Sequence, residues 1–182
     1  DPSTGGFGIA NSLGFRTSIE RAVRQSSARR ELLEALNDYW ADAKELRLAL
    51  QPTRCAGTSN CPVNEGVKDS LVRLLLHCES LQADVAAMLL EKLPEHEGET
   101  DGHGPMPLPR LILSQFRWLE VVVNSGELLE AITQMLQVVE LPLKRELILV
   151  LPDVVHDSDH PAAVEELCRL LREETQLTAP VL

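Results

Sequence analysis

SSARRELLEALNDYWADAKELRLAL, residues 26–50, is the stretch that decides the fold class. Leu32, Leu33, Leu36, Tyr39, Trp40, Ala43, Leu46 and Leu50 recur at steps of three and four. That spacing lays a single apolar stripe along about five turns of α-helix. Ser26 or Ser27 is the expected cap, since a side-chain oxygen there accepts from the free amides of the first turn. Pro52 lacks an amide hydrogen and clashes with the preceding turn, so it ends the pattern.

The same period extends outward in both directions. Residues 1–15 are polar and Gly-rich and read as a flexible arm, and a short helix fits 16–25. After the loop at 51–66, helices are expected over 67–79, 81–93, 111–124, 125–139, 143–151 and 161–173. Their stripes include Leu71, Leu74, Leu75 and Cys78, then Phe116 and Val123, then Leu128, Ile132 and Leu136, and finally Val164, Leu167, Leu170 and Leu171. Ser125 is expected to cap its helix, with Glu127 favourable near the positive end of the dipole. Residues 95–109 carry no apolar period and form the second long loop, the expected site of cleavage. The segments LLEKLPEH (89–96) and ILVLPDVVH (148–156) both join an apolar run to Leu-Pro-acid, a spacing that suits repeated helix pairs.

Composition agrees. Among 182 residues 44% are hydrophobic, 3% aromatic and 32 are Leu, which suits helices packed on helices better than a β-sandwich. Enough apolar surface exists to offset ordering entropy, so a wholly disordered chain is excluded. The expectation is an all-α fold, an α-solenoid of stacked antiparallel helix pairs (HEAT/ARM-like) over 16–182, with a globular helix bundle as the competing architecture. The chain does not begin with Met, and we expect a piece of a longer polypeptide.

Net charge is −11, which argues against nucleic-acid binding over the whole surface. The charge is uneven, though. Residues 1–50 balance seven basic against seven acidic side chains, and Arg16, Arg21, Arg24, Arg29 and Arg30 face only Glu20 within residues 16–30. A solvated helix face is the plain reading of this stripe. Contact of Arg21, Arg24, Arg29 and Arg30 with DNA or an acidic partner is the functional one.

Chemistry-bearing motifs are sparse. Cys55, Cys61, Cys78 and Cys168 match no tetrahedral zinc spacing and read as reduced thiols, with pairing of Cys55 and Cys61 left open. His156 and His160, with Asp157 and Asp159 between them, have the spacing of a metal pair on a helix. Ser158, Asp159 and Pro161 instead suit a turn that starts a helix, and the capping turn is preferred. No nucleophile elbow or phosphate loop is present, so neither an enzyme nor a cofactor is expected. Trp40, Trp118 and Phe116 fall on apolar stripes and are assigned to the core.

Four strings stand in a telling order: DSLVRLLLHCESLQADVAAMLLEKLPE (69–95), PRLILSQFRWLEVVV (109–123), LPDVVHDSDH (151–160) and EELCRLLREETQLTAPVL (165–182). Together they resemble the N-terminal region of the Fanconi anaemia group D2 family, and residues 30–50 resemble it more loosely. The resemblance implies a large nuclear α-solenoid without catalytic activity. Such a protein pairs with the group I paralogue and clamps duplex DNA in interstrand crosslink repair. It is monoubiquitinated by a core ubiquitin ligase complex, with the group E subunit docking it. The acceptor lysine of the family lies later in its chain, so the role passes to none of Lys44, Lys68, Lys92 or Lys144. The family's basic nuclear-targeting tail precedes the matching region.

The resemblance also implies a ubiquitin-binding helical module over about 128–182. Its leucine contact corresponds to Leu170, with Leu167 beside it. Its proline contact departs from the pattern, because Glu140 holds the matching place and Pro142 lies two residues on. Leu170 also sits on an apolar stripe, where core packing is the preferred reading. The alternatives to a repair scaffold are a helical-repeat adaptor that binds peptides in a groove, or a ubiquitin-binding module outside DNA repair.

Overall fold

The apolar stripe of residues 26–50 is two helices, not one. In a computed structural model, which describes residues 12–52, 69–98, 106–117 and 119–181, α2 (Ser26–Tyr39) stops at Trp40 and α3 (Ala43–Leu50) starts afresh. Asp42 causes the restart: its side chain accepts from the Lys44 amide at 2.7 Å, and Glu45 in the first turn favours the dipole. The Tyr39 hydroxyl donates to Glu45 across the break at 2.6 Å. The bend lets Trp40, wholly buried, sit between the two stripes, while Tyr39 is left exposed.

Before these lies α1 (Ser12–Ala22), which begins four residues earlier than expected. After them come α4 (Leu71–Leu76), α5 (Gln82–Glu95), α6 (Leu108–Phe116), α7 (Ser125–Val138), α8 (Leu141–Ile148), α9 (Leu151–Val154), α10 (His160–Glu173), a 3-10 turn (Thr175–Leu177) and α11 (Thr178–Val181). All regular structure among the described residues is helical. Of the loops read at 51–66 and 95–109, residues 53–66 and 99–105 lie outside the described residues, as do Cys55, Cys61, Lys68, His103 and Trp118, while Glu95 ends α5 and Leu108 and Pro109 open α6.

Several starts and stops differ from the sequence reading for local reasons. Gln25, not a serine, is the N-cap of α2, so Ser26 and Ser27 fall in its exposed first turn. Asn124 caps α7 by accepting from the Glu127 amide, which frees the buried Ser125 hydroxyl to accept from the His156 amide at 2.8 Å. Pro94 sits in the last turn of α5, where the helix runs on one residue to Glu95. Pro152 opens α9 instead of ending α8. The two Leu-Pro-acid segments therefore occupy opposite ends of helices. The sequence reading placed Val122, Val123 and Val164 on buried stripes; Val122 is buried, Val123 and Val164 are exposed, and Ala163 is buried beside Val164.

Helices two and three apart in order pack in two series, while α4 packs on α1, α3 and α5. In one row α3 packs on α6, α6 on α8 and α8 on α11; in the other α2 packs on α5, α5 on α7 and α7 on α9. The α5–α6 and α7–α8 contacts join the rows, and a single apolar core runs between them from Val23 to Leu177. Leu-rich faces suit this arrangement, since each fully buried Leu contributes about 1.5–3 kcal/mol.

Charged side chains clip neighbouring helices at the edges. Arg16 reaches Glu79 at 2.8 Å, Arg29 reaches Asp84 at 2.9 Å and Arg110 reaches Glu146 at 2.9 Å. Lys144 of α8 pairs with Glu174 at the end of α10.

A candidate interaction surface

The basic stripe is partly consumed by these clips. Arg16 binds Glu20 at 2.9 Å as well as Glu79, and those carboxylates hold its guanidinium pKa above the ordinary value. Arg29 is committed to Asp84 of α5 through both Nε and Nη2. Arg30 approaches Glu34 only at 3.8 Å, and both side chains are exposed. Arg21 and Arg24 are exposed and carry no ion pair among the described residues. The outward cations are thus Arg21, Arg24 and Arg30, with Arg29 tethered beside them. Arg24, Arg29 and Arg30 border one groove of about 380 Å³ between α2 and α5, and Arg21 stands apart from it.

A buried polar side chain shapes the adjoining surface, and the sequence reading missed it. Gln82, at the start of α5, is only 5% exposed. Its Nε2 donates to the Leu76 carbonyl at 2.9 Å and to the Val121 carbonyl at 2.8 Å, and its Oε1 accepts from the Val123 amide at 2.7 Å. One side chain thereby ties the end of α4 to the segment between α6 and α7. A polar residue at the first position of an apolar helix was the available signal. Beside it, α5 and α7 enclose a second depression of about 210 Å³.

The residues singled out for ubiquitin lie elsewhere. Leu170 of α10 is 1% exposed within the core, and Leu167 is half-buried against it. Glu140 is the N-cap of α8, its amide donating to Glu97 at 2.7 Å, and Pro142 lies in that helix's first turn. At the turn before α10, His160 stands 3.8 Å from Asp157, while His156 uses its backbone amide on Ser125. Asp159 is the N-cap residue there, without a side-chain cap bond. Among the described residues no group of three or more His, Cys, Asp or Glu side chains is arranged to hold a metal ion. Cys78 is buried, and desolvation pushes its thiol up to about 11; Cys168 is exposed.

No helix among the described residues is long and apolar enough to cross a membrane. Comparison with known proteins places these features in a family. A family model described as "Fanconi anaemia protein FancD2 nuclease" matches residues 11–182. The Fanconi anemia group D2 protein of Gallus gallus is 31% identical over 169 residues, covering 92% of this chain and 12% of the relative. Its homologues in Rattus norvegicus and Mus musculus are 30% and 29% identical over 172 residues, again covering 92% of this chain and 12% of each relative. The chain therefore spans about an eighth of these relatives' length. With a match that runs through all the helices described above, the chain belongs to the Fanconi anaemia FancD2 family.

Proposed function

We propose that these residues act as a non-enzymatic docking scaffold in interstrand crosslink repair, within a nuclear protein that pairs with the group I paralogue. The observation that carries this reading is the family match through residues 11–182. The two series of helix contacts, joined by one apolar core, support an α-solenoid, in which each helix pair buries its apolar face on the next and leaves its outer face free to bind. We read residues 12–182 as one such unit. Many carboxylates serve neighbouring helices as ion-pair partners, including Glu79, Asp84, Glu146 and Glu174, which suits structural use. The family description carries the word nuclease; our reading for this segment is a binding role, and DNA contact belongs to the paired, monoubiquitinated protein.

The group E subunit of the core ubiquitin ligase complex, ubiquitin and duplex DNA are the further partners of this reading. A ubiquitin contact at Leu170 requires α10 to shift, because the side chain is enclosed. Calorimetric titration of the chain with the group I protein tests the proposal, with group E, ubiquitin and duplex DNA in parallel. Saturable binding to the group I or group E protein is expected. Silence toward both, or divalent-metal-dependent DNA cleavage by the purified chain, contradicts the reading.

A further inference from the structure

Helix α10 is fastened at its end and hardly along its length. Of its 14 residues only Ala163 and Leu170 are buried, whereas α5, of the same length, buries six. Val164 and Cys168 are exposed, and Leu167 and Leu171 are half-buried. The first turn, from His160 to Ala162, faces solvent, and Asp159 before it makes no side-chain cap bond. Arg169 spends its charge within the helix, on Glu166 and Glu173, which supports α10 itself and ties it to no neighbour. Gln137 of α7 does reach Glu166, at 3.2 Å on an exposed edge.

The fastenings gather just beyond the helix. Lys144 of α8, its side chain 13% exposed, pairs with Glu174. Arg145 donates to the Gln176 carbonyl at 3.4 Å. Leu177 of the 3-10 turn is wholly buried in the common core, and α11 packs on both α8 and α10. At the opposite end the chain is pinned before α10 starts, where the His156 amide donates to Ser125. Residues 155–159 between that pin and the helix are non-helical.

We propose that residues 174–181 are a latch, and that α10 and α11 swing from the rest of the chain about the 155–159 turn when it releases. A segment with few buried side chains opens at a lower free energy than the body it rests on, so the opening is a local event and not global unfolding. It uncovers Leu170 together with Leu167 and Leu171, which share one helix face at steps of three and four. This is the shift of α10 that a ubiquitin contact at Leu170 requires, and to that extent the inference rests on the reading above. Its test contains no ubiquitin, so the two fail separately.

The experiment is native-state hydrogen exchange of the chain as wild type, Leu177→Ala, Lys144→Glu and the reversed pair Lys144→Glu/Glu174→Lys. In the wild type, amides over 164–171 should exchange about tenfold or more faster than those over 85–93 of α5. Leu177→Ala should speed α10 exchange by a further tenfold or more and leave α5 within about twofold. Lys144→Glu should speed α10 by about two- to fivefold, and the reversed pair should restore it. Lys144→Glu also keeps the test available if Leu177→Ala does not fold. Equal protection of α10 and α5 in the wild type, or a Leu177→Ala effect of the same size on both, means that α10 opens only with the whole chain and overturns the proposal. So does α10 exchange that neither Leu177→Ala nor Lys144→Glu alters.

Discussion

Removing the Gln82 side chain tests whether one buried amide holds the two-row stack together. In Gln82→Ala three backbone groups lose their partner: the carbonyls of Leu76 and Val121 and the amide of Val123. Leu76 is fully buried, so water cannot replace the lost donor, and a buried unsatisfied carbonyl costs about 1–3 kcal/mol. Val121 and Val123 are 65% and 49% exposed, so water satisfies them and each loss is limited to about 0.5–1 kcal/mol. The expected total is about 2–5 kcal/mol, read as a lower urea midpoint at unchanged slope. Gln82→Glu sharpens the test. It replaces a donor with a carboxylate facing two carbonyls, so the fold favours the protonated acid and raises its pKa above the unfolded value. That variant should be more stable at low pH and lose stability as pH rises through the carboxylate range, a trend the Ala variant lacks at this site. A loss below about 1 kcal/mol for Gln82→Ala, with no pH trend in Gln82→Glu, would refute the role assigned to this side chain.

Leu170→Ala should cost about 2–5 kcal/mol in the same unfolding assay, because the side chain is enclosed in the core; a change under about 1 kcal/mol would instead favour an exposed contact. Iodoacetamide at pH 8 should label Cys168 and spare Cys78 until denaturant is added, as read by peptide mass mapping. With its thiol pushed up to about 11, only about one Cys78 in a thousand is a thiolate at that pH. A double-mutant cycle on Arg29 and Asp84 should give a coupling below about 1 kcal/mol that shrinks with salt, since the side chains are 43% and 34% exposed.

The sequence disclosed the helices and most of the core, since a 3.6-residue apolar period survives wherever one face is buried. Leu36, Leu46, Leu75, Phe116, Ile132 and Leu136 all lie where the stripes put them. Boundaries were harder, for identifiable reasons. A stripe continues in register across a tight bend, so residues 26–50 looked like one helix although Asp42 with Glu45 three residues on spells a new start. Asn124 and Ser125 are both good caps, and only the distant His156 amide decides that Ser125 turns inward. Val164 was drawn inward by hydrophobicity alone, while the smaller Ala163 faces the core where helices approach closely.

The candidate surface was legible in part. The Arg16–Arg30 cluster is plain in the sequence, yet its division into tethered and outward cations depends on Glu79, 63 residues beyond Arg16, and Asp84, 55 residues beyond Arg29. The depression between α5 and α7 has no sequence signature, because Ala131 meets Ala83 and Ala87 only when α5 packs on α7.

Hydrogen exchange of the chain with and without the full-length group I protein tests the scaffold claim most directly. The account predicts slowed exchange along at least one contiguous outer helix face, with the amides of the Leu-rich core unchanged. Identical exchange in both samples at saturating group I protein would contradict it.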